Sequence, residues 1–156
     1  MKQMKRMFIM VLAVVMLASV MVVPAFAANT ADTDFWYHVA TTSNFPRIPG
    51  RVKTDTSAVY VYVDQSTYSF VRVEAIGQAT TSPTCPNYQN CTYYGGTIVP
   101  FVRCNRDVGY SVSSMINEYS WPYATLGFQS AGTSSDTVTG WWSADSSRTH
   151  NTPLAP

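Results

Sequence analysis

Hydrophobic and polar residues alternate along much of the chain after its first 27 residues, which is typical of strands with one buried face. The clearest example is residues 57–64, SAVYVYVD, where Val59, Val61 and Val63 share one face and two tyrosines share the other. Residues 67–77, TYSFVRVEAIG, repeat the alternation after a short turn. Because consecutive alternating segments joined by a short turn tend to pair, we predict an antiparallel hairpin here.

Glycine and proline mark a second turn region. Gly95 and Gly96 lie between CTYY and TIVPFVR and predict another hairpin, in which Pro100 indicates an edge strand or a bulge. No ten-residue stretch has a helical stripe, and Ser, Thr, Tyr and Val predominate. We therefore predict an all-β fold, a small antiparallel β-sandwich of about eight strands. The remaining predicted strands are Asp34–Thr41, Val108–Ser113, Tyr123–Gln129 and Thr137–Trp142.

The first 27 residues have the organisation of a secretory signal peptide. Three basic residues precede an apolar run over residues 7–23, and Ala25-Phe26-Ala27 forms a small-x-small cleavage site. An uncleaved membrane anchor is the alternative interpretation. We expect cleavage before Ala28, which leaves one domain over residues 28–156 with a flexible C-terminal tail from about residue 147. The expected location is extracellular or at the cell wall, with no membrane association after cleavage.

The charge of the mature chain narrows the range of partners. Residues 28–156 contain seven Lys and Arg against nine Asp and Glu. Such a chain lacks the basic surface that would hold a nucleic-acid backbone or anionic lipid. We expect no nucleic-acid partner and consider a neutral glycan or cell-wall component instead.

Aromatic side chains supply the candidate ligand-binding residues. In the strand over residues 137–142, Trp142 shares a face with Val138, so we predict that Trp142 is buried and Trp141 is partly exposed. Flat aromatic faces beside hydroxyl groups suit sugars, although tyrosines on strands also serve in ordinary cross-strand packing. The candidates for a glycan platform are Trp141, Trp121, Tyr60 and Tyr62.

Several segments in a fixed order carry a resemblance to a known family. ADTDFWYHV, RVKTDTSAVYV, NCT, NEYSWPYATLGFQS and VTGWWSADSS together resemble a family of small secreted Gram-positive bacterial proteins that carry a domain of unknown function. The resemblance extends from about Asp32 to Ser146. Asp55 stands where the family more often has Asn, Ala144 replaces Pro, and Trp141 replaces an aliphatic residue. The resemblance implies no catalytic residues.

Three cysteines, Cys85, Cys91 and Cys104, leave an odd thiol in a chain predicted to enter an oxidising compartment. Cys91–Cys104 is the favoured disulfide because NCT belongs to the family pattern and the Gly95-Gly96 hairpin would bring its ends together. Cys85–Cys91 is the alternative. The remaining cysteine would be a free thiol or would link two molecules.

The residues for catalysis and metal binding are sparse. His38 and His150 are the two histidines, and no Cys/His cluster has zinc-ligand spacing. Glu74 and Glu118 are the two glutamates, and neither lies in a glycosidase motif. We expect no enzyme activity and no cofactor.

Two further motifs have competing interpretations. Asp32, Asp34 and Asp145 could contribute oxygen ligands to calcium if the first and last strands are neighbours, but solvated turn aspartates are the favoured interpretation. The triplet Asn90-Cys91-Thr92 matches an N-glycosylation site and is expected to carry no sugar in a bacterial protein.

Three function classes follow from these observations. The first is a secreted, non-catalytic binding or envelope-associated module, for which exposed aromatics would make carbohydrate the ligand. The second is a secreted antagonistic, bacteriocin-like protein, although no cationic amphipathic segment supports membrane attack. The third, an enzyme, lacks an acid–base constellation.

Overall fold

The computed structural model describes residues 29–39, 46–146 and 150–156, and within these ranges the protein is all-β, with antiparallel sheets and no helix. Eleven strands are present where about eight were predicted, because two- and three-residue strands are too short to show alternation. Their bounds are β1 Thr33–Val39, β2 Arg51–Val52, β3 Val59–Gln65, β4 Phe70–Gln78, β5 Tyr88–Asn90, β6 Tyr93–Tyr94, β7 Thr97–Ile98, β8 Val102–Asn105, β9 Gly109–Val112, β10 Tyr123–Ser130 and β11 Asp136–Ser143.

The first sheet has four antiparallel strands in the order β1-β11-β3-β9. The predicted alternation in β3 is confirmed, since Val59, Val61 and Val63 are each 0% exposed and belong to the hydrophobic core. The pairing of β11 with β3 shifts between Thr139 and Gly140, which marks a β-bulge.

The second sheet has five strands. Four follow the order β2-β10-β4-β5, and β8 pairs with the other half of the same edge of β4. Residues 46–48 continue the edge beyond β2, because Ile48 N–H donates to the Leu126 carbonyl and Phe128 N–H donates to that of Pro46. Because β10 pairs along one edge of β4 and β5 and β8 share the other edge, β4 is paired along both of its edges.

The predicted hairpin between β3 and β4 is wrong, because the two strands belong to different sheets. The connection between them is held by a carboxylate from β11. Asp136 accepts hydrogen bonds from Ser66 Oγ at 2.5 Å and from Thr67 N–H at 2.8 Å. Each strand has a buried valine face, so alternation alone does not show which sheet it joins.

The predicted Gly95-Gly96 hairpin is confirmed as β6 and β7. Both glycines have positive φ, 59° and 91°, which is the conformation that a two-residue hairpin turn with this hand requires. Pro100 lies outside the strands, between β7 and β8.

Both sheets contribute to one hydrophobic core. Phe35 of β1 and Phe128 of β10 stack across it with ring centroids 4.8 Å apart. Trp142 is 1% exposed and is the largest fully buried side chain of the described residues, as the alternation predicted.

The C-terminal residues 150–156, expected to form part of a flexible tail, are hydrogen bonded to both sheets. Ser111 N–H of β9 donates to the Asn151 carbonyl at 3.0 Å. Arg103 of β8 and Leu154 exchange two backbone hydrogen bonds of 3.0 Å. This C-terminal segment therefore covers one edge strand of each sheet.

The predicted signal peptide, residues 1–27, lies outside the described residues. Residues 40 and 41 of the predicted strand Asp34–Thr41 also lie outside them. In the described ranges, no helix is long and apolar enough to cross a membrane.

Candidate functional site

The candidate site lies on the face of the four-stranded sheet that points away from the core. Asp34 of β1, Trp141 of β11 and Tyr62 of β3 are Cα partners across three adjacent strands. The rings of Tyr62 and Trp141 are stacked, with centroids 4.4 Å apart and planes inclined by 7°. This contact fixes the orientation of the Trp141 ring, because cross-strand aromatic neighbours restrict each other's rotamers.

Beside this pair is an open cleft of about 470 Å³. Tyr62 is not among the residues that line this cleft, although Asp64 of the same strand is. Trp36 is 69% exposed and is the most exposed large hydrophobic residue among those described. The lining residues are Asp34, Phe35, Trp36, Asp64, Thr139, Gly140 and Trp141.

The β-bulge shapes this cleft. Thr139 pairs with Gln65 and Gly140 pairs with Val63, so Asp64 is the additional residue on β3. Position 140 must be glycine, because a Cβ there would lie 1.9 Å from the Tyr62 carbonyl oxygen. The close approach of the two backbones therefore places Asp64 at the cleft.

Of the four predicted aromatic candidates, Trp141 and Tyr62 are brought together and the other two are placed elsewhere. Tyr60 was expected to be exposed but is 6% exposed, and His150 of the C-terminal segment stacks on it with ring centroids 4.2 Å apart. The Trp121 ring packs against Gly77 of the five-stranded sheet, on the core side, and its Nε1 donates to Gln89 Oε1 at 3.4 Å. The prediction of an exposed platform is wrong for Tyr60, whereas Trp121 is half-buried and lies apart from the Tyr62–Trp141 pair.

Sequence reasoning missed Trp36 as a candidate. Its signal was the alternation in TDFWYHV, where Asp34, Trp36 and His38 are exposed and the intervening Phe35 is buried. That pattern became informative only once Phe35 was known to face the core.

The three cysteines are buried free thiols, so the predicted Cys91–Cys104 disulfide is not formed. Both residues lie along the same edge of β4, where Cys104 is the partner of Val71 and Cys91 N–H donates to the Ala75 carbonyl. Four strand residues separate these positions by about 13 Å, whereas a disulfide needs Cα atoms about 4.4–6.8 Å apart. The β6–β7 hairpin protrudes between the two cysteines and does not bring them together.

The environments of Cys91 and Cys104 disfavour the thiolate that a nucleophile requires. Burial raises the pKa of Cys91 to about 11 and raises that of Cys104 further. The pKa of Cys85 is lowered by a hydrogen bond with the Thr80 side chain, and its Sγ donates to the Asn87 carbonyl. His150 stacks on Tyr60 of the four-stranded sheet, whereas Cys85 lies beside Thr80 and Asn87.

Asp145 is not a solvated turn residue but the centre of a buried polar network. It is 0% exposed, and its carboxylate lies 2.6 Å from Lys53 Nζ. Thr54 Oγ1 donates to the same carboxylate at 2.6 Å, and Asn29 N–H donates at 2.8 Å. Burial alone would raise the pKa of Asp145, but these hydrogen bonds and the Lys53 charge lower it to about 2.

This network makes Asp145 unavailable as a calcium ligand together with Asp32 and Asp34. Asp32 and Asp34 are exposed, whereas Asp145 is buried against an ammonium group. Among the described residues there is no group of three or more His, Cys, Asp or Glu that could hold a metal ion.

Asn90 of the glycosylation triplet has a structural contact for each polar atom of its side chain. Its Nδ2 donates to the carbonyls of Val99 and Pro100 at 2.9 and 3.1 Å, and its Oδ1 accepts from Thr92 N–H at 2.8 Å. A glycan on Nδ2 would compete with the bonds that anchor the β6–β7 hairpin.

Glu74 lies on the face of the five-stranded sheet that points away from the core, between the inward-facing Val73 and Ala75. Burial raises its pKa to about 7, and the charge of Arg47 lowers it in part. Below about pH 4.5 the carboxyl is neutral in both folded and unfolded states, so burial costs nothing. The cost develops as the pH rises and is complete above about pH 7, so Glu74 destabilises the protein under alkaline conditions.

We therefore predict that Glu74→Gln raises the free energy of unfolding by about 1–2 kcal/mol above pH 7, after allowance for solvent screening. The same substitution should leave stability unchanged at about pH 4. Urea titrations at both pH values measure the difference, and Glu118→Gln, at an exposed position, is the matched control. A gain of equal size at both pH values would contradict the assignment.

These observations define an all-β protein of antiparallel sheets that has an open cleft with tryptophan and aspartate walls on one sheet. The chain belongs to the family described as "Protein of unknown function (DUF2712)", which matches residues 23–146. The expected resemblance is thereby confirmed at the level of a domain of unknown function. No curated protein and no solved structure gives a significant match to the chain.

Proposed function

We propose that this protein is an exported, non-catalytic β-sandwich module that binds polysaccharide, with the Trp36–Trp141 cleft as its binding site. The observation that carries the proposal is the stack of Trp141 on Tyr62 at 4.4 Å beside an open cleft. The stack holds one aromatic face rigidly, so little side-chain entropy is lost when a flat, weakly polar ring binds against it.

The composition of the cleft supports a hydroxylated ligand. The carboxylates of Asp34 and Asp64 and the hydroxyl of Thr139 can accept hydrogen bonds from sugar hydroxyl groups. The exposed Trp36 ring provides a second apolar surface. An open, shallow cleft suits a chain that continues past the site in both directions.

A purely binding role fits the distribution of acidic groups. A glycosidase needs a proton donor with a raised pKa in the cleft. Glu74, whose pKa burial raises to about 7, lies on the five-stranded sheet instead. Export rests on the signal-peptide features of residues 1–27, and location at the cell envelope follows from export together with glycan binding.

Retention on insoluble polysaccharide tests the proposal. We expect the wild-type protein to be retained on chitin, cellulose or purified bacterial cell walls. Trp141→Ala and Trp36→Ala should each weaken retention about tenfold or more, because a central aromatic anchor contributes 2 kcal/mol or more to binding. Circular dichroism should show that both variants remain folded.

Tyr119→Ala is the matched control, since Tyr119 is 44% exposed but does not line the cleft. Undiminished retention of both tryptophan variants would remove the cleft as the site. Killing of neighbouring bacteria without retention on any of these materials would instead favour the antagonistic function.

A further inference from the structure

The charges around the cleft are of one sign. Asp34 and Asp64 line it, and no Lys, Arg or His is among its lining residues. Within the described part of the chain, neither carboxylate takes part in an ion pair or a side-chain hydrogen bond. By contrast, Asp136, at the start of β11, and Asp145, just after its end, are both buried. Asp136 accepts a hydrogen bond from Ser66, and Asp145 forms an ion pair with Lys53.

The two carboxylates are arranged on either side of Trp141. Asp34 is on β1 and Asp64 is on β3, and β11 runs between these strands. Two strand spacings separate their backbones sideways by about 10 Å. Asp64 is also offset along the strands, because Asp34 is the partner of Trp141 and Asp64 lies opposite Thr139 and Gly140. Because both residues line the cleft, a sugar bound against Trp141 would have both carboxylates in its surroundings.

Aromatic faces and unpaired carboxylates together are the chemistry that recognises an ammonium group. A cation is attracted to the face of a tryptophan ring, and the carboxylate accepts a charge-assisted hydrogen bond. A neutral sugar would use the rings and could donate hydroxyl hydrogen bonds to Asp34 and Asp64, but it would lack the charge–charge attraction that an ammonium group adds. An anionic polymer would be repelled by both residues.

We propose that the cleft prefers glycans whose sugars carry a free primary ammonium group, such as de-N-acetylated amino sugars, over their N-acetylated counterparts. This proposal rests on the proposed function, since it names the substituent that the same cleft selects. The rings supply affinity for any sugar that can stack, and the two carboxylates supply the discrimination.

Calorimetric titration with two oligosaccharides tests the preference. The probes are oligomers of glucosamine and of N-acetylglucosamine of equal length, in a buffer acidic enough to protonate the free amines. We expect the glucosamine oligomer to bind about tenfold more tightly at low salt. The advantage should shrink as salt is added, because exposed charge pairs are screened.

The isosteric double variant Asp34→Asn/Asp64→Asn should reduce the difference to about twofold or less, because it removes both charges while the amide oxygens can still accept hydrogen bonds from sugar hydroxyl groups. Asp107→Asn is the matched control, since it removes an equal charge from a residue outside the cleft and asparagine tolerates its positive φ of 63°.

Equal affinity for the two oligomers, or tighter binding of the N-acetylated one, would overturn the ammonium preference and leave the proposed function intact. A preference that survives in the double variant would also overturn it. If neither oligomer binds and no polysaccharide retains the protein, the proposed function falls together with this inference.

Discussion

Replacing Asp145 with alanine should lower the free energy of unfolding by about 3–5 kcal/mol, which is the cost of leaving a buried charge without its partner. Lys53 is 5% exposed, and its ammonium lies 2.6 Å from the Asp145 carboxylate. The substitution also removes the acceptor for Thr54 Oγ1 and Asn29 N–H. Since small proteins have only about 5–15 kcal/mol of stability, this variant should unfold many degrees below the wild type.

Urea unfolding of Asp145→Ala beside Asp55→Ala measures the effect. Asp55 also contacts Lys53, at 3.3 Å, but its side chain is 41% exposed, so its loss should cost about 1 kcal/mol or less. The stabilisation from Asp145 should be present above its unfolded pKa of 3.8 and disappear as the pH falls through its folded pKa of about 2. Equal costs for the two variants would contradict a buried ion pair.

Trp142→Ala should be similarly destabilising, at about 3–5 kcal/mol, because the truncation leaves a large cavity in the core shared by the two sheets. Trp142 is 1% exposed, whereas its neighbour Trp141 is only half-buried, on the opposite face of β11. Trp141→Ala should therefore cost far less. Thermal melts of the two variants compare the faces directly, and equal losses would mean that both rings are buried.

The alternation of hydrophobic and polar residues correctly predicted the features that depend on one strand alone. It gave the buried valine face of β3 and the opposite orientations of Trp141 and Trp142. It did not predict which strands pair, because β3 and β4 both have a valine face and a short connection but belong to different sheets. The connection between them is held by Asp136, which lies about 70 residues further along the chain.

The candidate site was only partly predictable, because the exposure of a side chain depends both on its own strand and on residues that are distant in sequence. Trp141 and Tyr62 were identified from alternation, and their contact depends on the register of β11 with β3. Tyr60 was assigned wrongly because the ring that covers it, His150, is remote in sequence. Trp121 is placed away from the cleft by its contact with Gly77 of the five-stranded sheet, which is also remote in sequence. No local pattern carries that information.

Two segments that support the family resemblance meet in space. Lys53 and Thr54 of RVKTDTSAVYV and Asp145 of VTGWWSADSS are about 90 residues apart and form one buried network. A structural requirement of the fold therefore accounts for these motif residues. The Trp141 ring does not belong to that network, so the network places no constraint on the residue at this position.

The order of the strands has a consequence for when the protein can acquire its structure. The last two strands in the chain, β10 and β11, both lie in the interior of a sheet. β10 lies between β2 and β4, and β11 lies between β1 and β3. A chain that emerges N-terminus first, from a ribosome or a membrane pore, cannot complete either sheet before residues 123–143 have appeared. Such late closure delays completion of the fold until almost all of the chain has emerged.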